Sequence, residues 1–520
     1  MSRPAPSVFR STIANWAVFV VVAVVSFLMS PFIVHHLGDS AYGTWVLLGS
    51  FVGYLGLLDF GVRGAVTRYV ANQYAAGDHT GASTTVLAAV RLFTGLALLT
   101  AVIAGLLALS LDSLFRIPPE LLADARLVVL LGGGTVAVSF IGGVFGGVVA
   151  GLHRFDIDGG VEIAITLLRA AAVVAALDAG YGLVTLALIQ GAVAVLRAIV
   201  AYFLARRLYP ELSLQNTGPT RPAIKQLLSF SLFSSLIQLS GILIYYSNSI
   251  VIAAFLPVGV VTYYAIAANL ADYARQVVAA VSRVITPRTS ASLATGGIDA
   301  VRAVVLSVGP AATLVTAPMA ITFLIRGERF LDLWMGPAYG PATDQVLWVL
   351  ALAVWLAGGR LIAAATGLGI NRHQGLAALY GAEAIANLGL SIVLIKPLAL
   401  VGVALGMTIP TIIVDLVFMP RYCARHLRIP PLEFLTRVWL WPSVACLGFA
   451  AATYAIERWA NTDSLAAFFV QVFALLPLVA LGAAITVLSR AQREQLLQRA
   501  RSAVRGFGDR AFGRRGARIV

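Results

Sequence analysis

The chain has 520 residues, 59% hydrophobic and 12% charged. An ordinary soluble domain carries about 25% charged residues, so a water-soluble fold is excluded. The net charge is +14, but the arginines are scattered over many short segments instead of one face, which excludes nucleic-acid binding.

Runs of about 20 apolar residues recur along the whole length, each able to cross a hydrocarbon core about 30 Å thick as a helix. Hydropathy predicts spans near 12–34, 42–62, 86–110, 127–150, 161–179, 184–204, 228–254, 260–282, 303–325, 346–369, 376–395, 399–420, 438–457 and 465–488. The expected fold class is an all-α polytopic membrane protein with about fourteen transmembrane helices. The run after Trp16 is long enough to stay as a helix and no small-residue cleavage pattern follows, so no cleavable signal peptide is expected. His35 and His36 come next, at a turn without nearby acids or cysteines, and read as surface residues rather than metal ligands.

The stretch LLDFGVRGAVTRY at 57–69 places Asp59, Arg63 and Arg68 where the second span ends. Asp59 and Arg63 are four apart, share a helix face and can pair; Arg68 reads as a boundary anchor. Arg91, Arg169, Arg197, Arg275 and Arg360 fall inside predicted spans, and Glu162, Asp272, Glu383 and Asp415 lie in or near them. A charge at the bilayer centre costs about 2.5–3.5 kcal/mol, so these groups are expected to face protein or water. Arg63, Arg91, Arg169, Arg197, Arg275 and Arg360 are therefore candidates for a basic substrate-binding cavity, and Asp59, Asp272, Glu383 and Asp415 for coupling or structural acids. The structural alternatives are one-helix pairs, Glu162 with Arg169 and Asp272 with Arg275, and snorkelling of Arg91 to the headgroups.

FDIDGG at 155–160 spaces Asp156 and Asp158 like the metal-binding pair of some glycosyltransferases. Its loop is far too short for a nucleotide-sugar domain of about 50 residues or more. Tyr245, Tyr246 and Asn248 put polar atoms into span seven, for interface hydrogen bonds or for sugar contact. The only lysines, Lys225 and Lys396, fit no GxxxxGK[ST] motif, which excludes P-loop ATP hydrolysis. No catalytic centre, metal or cofactor is expected. Cys423 and Cys446 are too few for a disulfide framework. In the tail, Leu496, Ala500, Val504 and Phe507 share a face among arginines, the pattern of an interfacial amphipathic helix.

An even number of spans puts both termini on one side. With that side taken as cytoplasmic, its loops hold 26 of the 37 Lys and Arg residues and the opposite loops 6, the other five lying within spans. This is a strong positive-inside bias. An internal repeat is also visible. Arg63, Arg68, Ala71 and Gly77 recur at one offset as Arg283, Arg288, Ala291 and Gly297, and AGLHR at 150–154 recurs as TGLGI at 366–370. Two parallel six-helix bundles are expected, 12–204 and 228–420, joined by a cytoplasmic linker 205–227. Two additional helices, 438–488, and a basic tail, 489–520, follow, with the substrate site between the bundles.

The segment PFIVHHLGDSAYGTWVLLGSFVGYLGLLDFGVRGAVTRYVA, residues 31–71, resembles the opening of bacterial polysaccharide-biosynthesis membrane proteins. These are the O-antigen and exopolysaccharide flippases of the multidrug/oligosaccharidyl-lipid/polysaccharide exporter superfamily. The turn at Leu37, Gly38, Tyr42 and Gly43, the LLDFG at 57–61, Pro287 and RFLDLWMGPAY at 329–339 carry the likeness further. The resemblance implies two six-helix bundles in a V that move undecaprenyl-pyrophosphate-linked oligosaccharide across the inner membrane, the pyrophosphate meeting a basic central cavity. Two rivals stay open. A cation-coupled multidrug antiporter would need intramembrane acids, here outnumbered by arginines. A polysaccharide polymerase or ligase would usually have a large outer loop, whereas the longest here, 326–345, is about 20 residues.

Overall fold

A computed structural model describes residues 8–215 and 220–488, and every regular element among them is helical. Lipid offers the backbone no hydrogen-bond partners, so chains of this hydropathy satisfy their amides within helices. The first six are α1 (Val8–Leu37), α2 (39–75), α3 (His79–Leu114), α4 (Pro119–Gly151), α5 (Phe155–Asp178) and α6 (Leu183–Leu208). The next six are α7 (Thr220–Phe255), α8 (260–296), α9 (298–335), α10 (Gly340–Gly369), α11 (373–398) and α12 (400–427). The helices α13 (431–459) and α14 (Leu465–Thr486) complete the described residues. Non-helical dihedrals at Gly297 divide α8 from α9, and those at Ala399 divide α11 from α12. The fold is two six-helix bundles plus two C-terminal helices.

Within the first bundle α4 packs along α3 and α6, and α1 along α5; in the second, α10 packs on α8 and α9, and α7 on α11 and α12. The added pair lies against α9, where Ala317, Cys446, Phe449 and Val479 form a small core of their own. Large apolar side chains such as Leu106, Leu109, Val470 and Phe473 point outward, as they do where the solvent is hydrocarbon.

The second span differs from its prediction as one uninterrupted helix over 42–62. A 3₁₀ turn at Gly56–Asp59 and left-handed residues Phe60 and Gly61 interrupt it, and helix resumes from Val62 to Ala75. Arg63 and Arg68 thus sit within α2 rather than in a loop. The predicted outer loop 326–345 is also mostly helix, because α9 runs on to 335. Arg326 is buried inside it, donating to Glu457 (2.7 Å), Thr462 (2.8 Å) and Gln471 (2.9 Å), with its guanidinium 4.5 Å from the Phe468 ring centroid. It ties the α13–α14 turn to α9.

Corresponding breaks recur along the chain. Gly77 and Gly297 both have positive φ (71° and 64°), a region where a Cβ is strained, and each ends a helix that begins a similar distance upstream. His153 and Asn371 match as well (φ 57° and 58°). That pair corrects the second repeat match. The partner of Gly151-Leu-His-Arg is Gly369-Ile-Asn-Arg, which pairs Arg154 with Arg372; TGLGI lies two residues out of step. The side chain of Arg283 and the tail 489–520 fall outside the described residues.

Candidate functional site: a cleft between the two bundles

Three cavities of about 400, 260 and 240 Å³ join end to end between the bundles. The largest shares Tyr42, Trp45, Gln190 and Asn269 with one neighbour and Tyr245, Tyr246 and Tyr264 with the other. The walls come from α1, α2, α4, α5 and α6 on one side and α7, α8, α10 and α12 on the other. Tyr245 and Tyr246 are 42% and 40% exposed although they lie in the middle of α7, so the cleft is open space inside the bundle. Asn248 borders the 260 Å³ cavity, its amide donating to the Ile244 carbonyl (3.0 Å) and approaching the Met407 sulfur (3.6 Å). The Tyr42 hydroxyl accepts from the Asn269 amide at 3.4 Å.

The structure does not gather the six candidate arginines into one basic cavity. Two border the cleft. Arg169 lines the 240 Å³ cavity beside Tyr42, Asn269 and Tyr273 and has no hydrogen-bond or ion partner among the described residues. Its expected partner Glu162 pairs with Arg197 instead, which also lies 3.9 Å from Asp158. Arg275 lines the 260 Å³ cavity, pairs with Asp272 at 2.8 Å and stacks 4.1 Å from the centroid of Tyr245.

The other four lie elsewhere. Arg63 and Arg197 share a separate pocket inside the first bundle, where Arg63 lies over the glycine surface of α4 at Gly143 and Gly146. Asp59 does not salt-bridge Arg63 as expected; its carboxylate accepts the Arg63 backbone N–H at 3.3 Å and so caps the resumed helix. The break at 56–61 removes the continuous helix that their pairing required. Arg91 donates to the Thr220 hydroxyl (2.9 Å) and tethers the start of α7 to α3. Arg360 is sequestered in the second bundle with Glu383 and Asp415.

One end of the cleft is latched. Asp39 accepts the Tyr263 hydroxyl on one carboxylate oxygen and the Tyr339 hydroxyl on the other, both at 2.8 Å, while its carbonyl accepts from Thr262 (2.7 Å). His35 meets the Met335 carbonyl (2.7 Å), and the Trp334 indole donates to the Phe27 carbonyl (3.1 Å) with the two rings stacked. Burial, then the Asp39 carboxylate it serves, pushes the Tyr339 phenol above its ordinary pKa, keeping it a donor. At the same end α2 touches the turn before α8, since a Cβ on Gly43 would lie 2.2 Å from the Val258 carbonyl oxygen. The residues of the sequence motifs at 37–43 and 329–339 are therefore the latch.

Sequence reasoning missed Trp45, Gln190, Tyr264 and Asn269 as lining residues. Their only signal is an amide or ring inside an apolar run, and that signal does not separate a cavity from a helix interface.

Among the described residues, fourteen helices in two bundles around a latched polar cleft define an all-helical, multi-pass membrane protein. The chain belongs to the polysaccharide biosynthesis protein family, whose model matches residues 8–292. It is 25% identical over 428 residues to the uncharacterized membrane protein EpsK of Bacillus subtilis strain 168, covering 79% of this chain and 82% of that one. Its fold is similar to the lipid II flippase MurJ in an inward closed conformation (TM-score 0.69, 13% identity, 91% of this chain and 98% of that one). It is also similar to a multidrug resistance MATE transporter in an inward-facing conformation (TM-score 0.66, 17% identity, 80% and 99%).

Proposed function

We propose that this protein is a flippase moving undecaprenyl-pyrophosphate-linked oligosaccharide from the cytoplasmic to the periplasmic leaflet for polysaccharide assembly. The observation that carries the reading is the cleft itself: an open, tyrosine-walled space between the bundles with an unpaired arginine, Arg169, on its wall. A lipid-linked glycan cannot bring its charges through hydrocarbon unaided, where even one ion costs several kcal/mol. The cleft supplies what such a headgroup lacks in lipid. Arg169 presents a guanidinium fork that suits a phosphate, and tyrosine faces with amides suit sugar rings and hydroxyls. The apolar tail stays in the bilayer. Family membership supports the same cargo.

The positive-inside bias supports an orientation with both termini in the cytoplasm of a bacterial inner membrane and the Asp39 latch on the periplasmic side. In that orientation the described state is closed outward. Alternating access follows when the bundles 12–204 and 228–420 rock about the cleft, breaking the latch. The chain acts as a carrier and needs no catalytic residue.

A second reading, a cation-coupled multidrug antiporter, draws on the aromatic cleft with Asp272 at its edge and on the likeness to multidrug transporters. Deleting the gene separates the two. The flippase reading expects undecaprenyl-linked glycan to accumulate on the cytoplasmic face, by mass spectrometry of extracted lipids, with surface glycan lost. Unchanged lipid intermediates together with new sensitivity to cationic dyes would transfer the assignment to the antiporter.

A further inference from the structure

Arg360, Glu383 and Asp415 form a charged cluster away from the cleft, on α10, α11 and α12. Glu383 and Asp415 have no side-chain exposure and Arg360 only 13%. Glu383 is fully served: both its oxygens accept from the Arg360 guanidinium, and one also accepts the Thr411 hydroxyl at 2.8 Å. Asp415 is not. Its nearest cation is Arg360 at 3.7 Å, beyond hydrogen-bond range, and neither of its buried oxygens has a hydrogen-bond partner. The remaining titratable neighbour is Tyr380, whose ring lies 4.7 Å below the guanidinium.

One guanidinium against two carboxylates leaves a net charge of −1 in a site buried from solvent. An uncompensated buried charge costs several kcal/mol, whereas a carboxylic acid is neutral. A proton on Asp415 balances the cluster. A metal cation does not suit it, because the fixed guanidinium repels it and two carboxylates fall short of the six or so oxygens that hard cations take. Asp415 also sits in a π-helical turn, Val414–Phe418, which interrupts the regular register of α12.

We propose that Asp415 is the proton-binding group that couples movement of the second bundle to the proton gradient. The proposal rests on the transporter reading above and adds its energy source. When α10, α11 and α12 part, water reaches the carboxylate. It takes a proton from hydronium on the side where protons are plentiful, leaving water, and returns it to water on the other side. In the closed cluster the group is held neutral.

Infrared difference spectroscopy on the purified full-length chain at neutral pH tests this without any cargo, because a protonated carboxyl has its own carbonyl stretch. The wild type is expected to show that band and Asp415→Asn to lose it. Glu383→Gln should lose it too, since Arg360 and Asp415 then neutralise each other, while Arg360→Gln should strengthen it because both acids then take protons. In cells, Asp415→Asn is expected to lower glycan export at least about tenfold with the protein still inserted, the worth of about 1.4 kcal/mol. A missing wild-type band, a band that persists in Asp415→Asn, or normal export by that variant would overturn the proposal. Should the gene deletion leave glycan export unchanged while the infrared pattern holds, the cargo reading fails and the proton site stands.

Discussion

Two arginines, Arg326 and Arg169, do opposite work, and substitution should separate them. Arg326 is buried with Glu457, Thr462 and Gln471 around it, so its removal takes the partner from an acid, while Thr462 and Gln471 keep the bond to each other. Breaking a buried pair typically costs about 3–5 kcal/mol. Arg326→Ala is therefore expected to lower thermal stability sharply in a detergent melt. Arg169 has no partner to strand. Arg169→Ala should melt like the wild type and yet lose glycan export by about 10–100-fold, the worth of about 1.5–3 kcal/mol for a hydrogen bond to a charged group. Arg169→Lys keeps the charge without the fork and should fall between. A destabilised Arg169→Ala would make that residue structural and remove the cleft's anion contact.

At the scale of elements the latch makes the sharpest demand. Asp39 joins α2 to the first turn of α8 and to the turn before α10, through two tyrosine hydroxyls and one threonine. Asp39→Ala removes both carboxylate bonds, each worth about 1.5–3 kcal/mol, and should raise the population open at that end at least about tenfold. Gly43→Val acts by another route: its Cβ would be driven into the Val258 backbone, which cannot yield as a side chain can. Both variants should lengthen the distance between spin labels at Tyr181 and Ala338, on loops of the two bundles at that end, in pulsed dipolar spectroscopy. An unchanged distribution in Gly43→Val would show that the contact at Val258 does not hold the two sides together. What the sequence displayed of these elements followed chemical type. Helix number came through because a span must be about 20 apolar residues whatever its neighbours do. The break at 56–61 did not, since Phe60 is no left-handed signal; Asp59 then capped a helix instead of pairing with Arg63.

For the whole molecule, the reading of one basic cavity failed for a physical reason. A sequence shows which arginines are too costly for lipid but not which acid on another helix neutralises them. Glu162 took Arg197 and Glu383 took Arg360, leaving Arg169 and the Asp272-paired Arg275 at the cleft. On the flippase proposal, the cargo's charge therefore meets few cations, and its bulk meets tyrosines. Reconstitution addresses that claim most directly. Liposomes carrying extracted undecaprenyl-pyrophosphate oligosaccharide, with and without the purified chain, are treated outside with a glycan-cleaving enzyme, and the protected fraction is followed over time. Wild-type protein should make the inner-leaflet glycan accessible, and Arg169→Ala should leave it protected as in protein-free liposomes. Equal protection in wild-type and protein-free liposomes, with the reconstituted protein folded, would contradict the account.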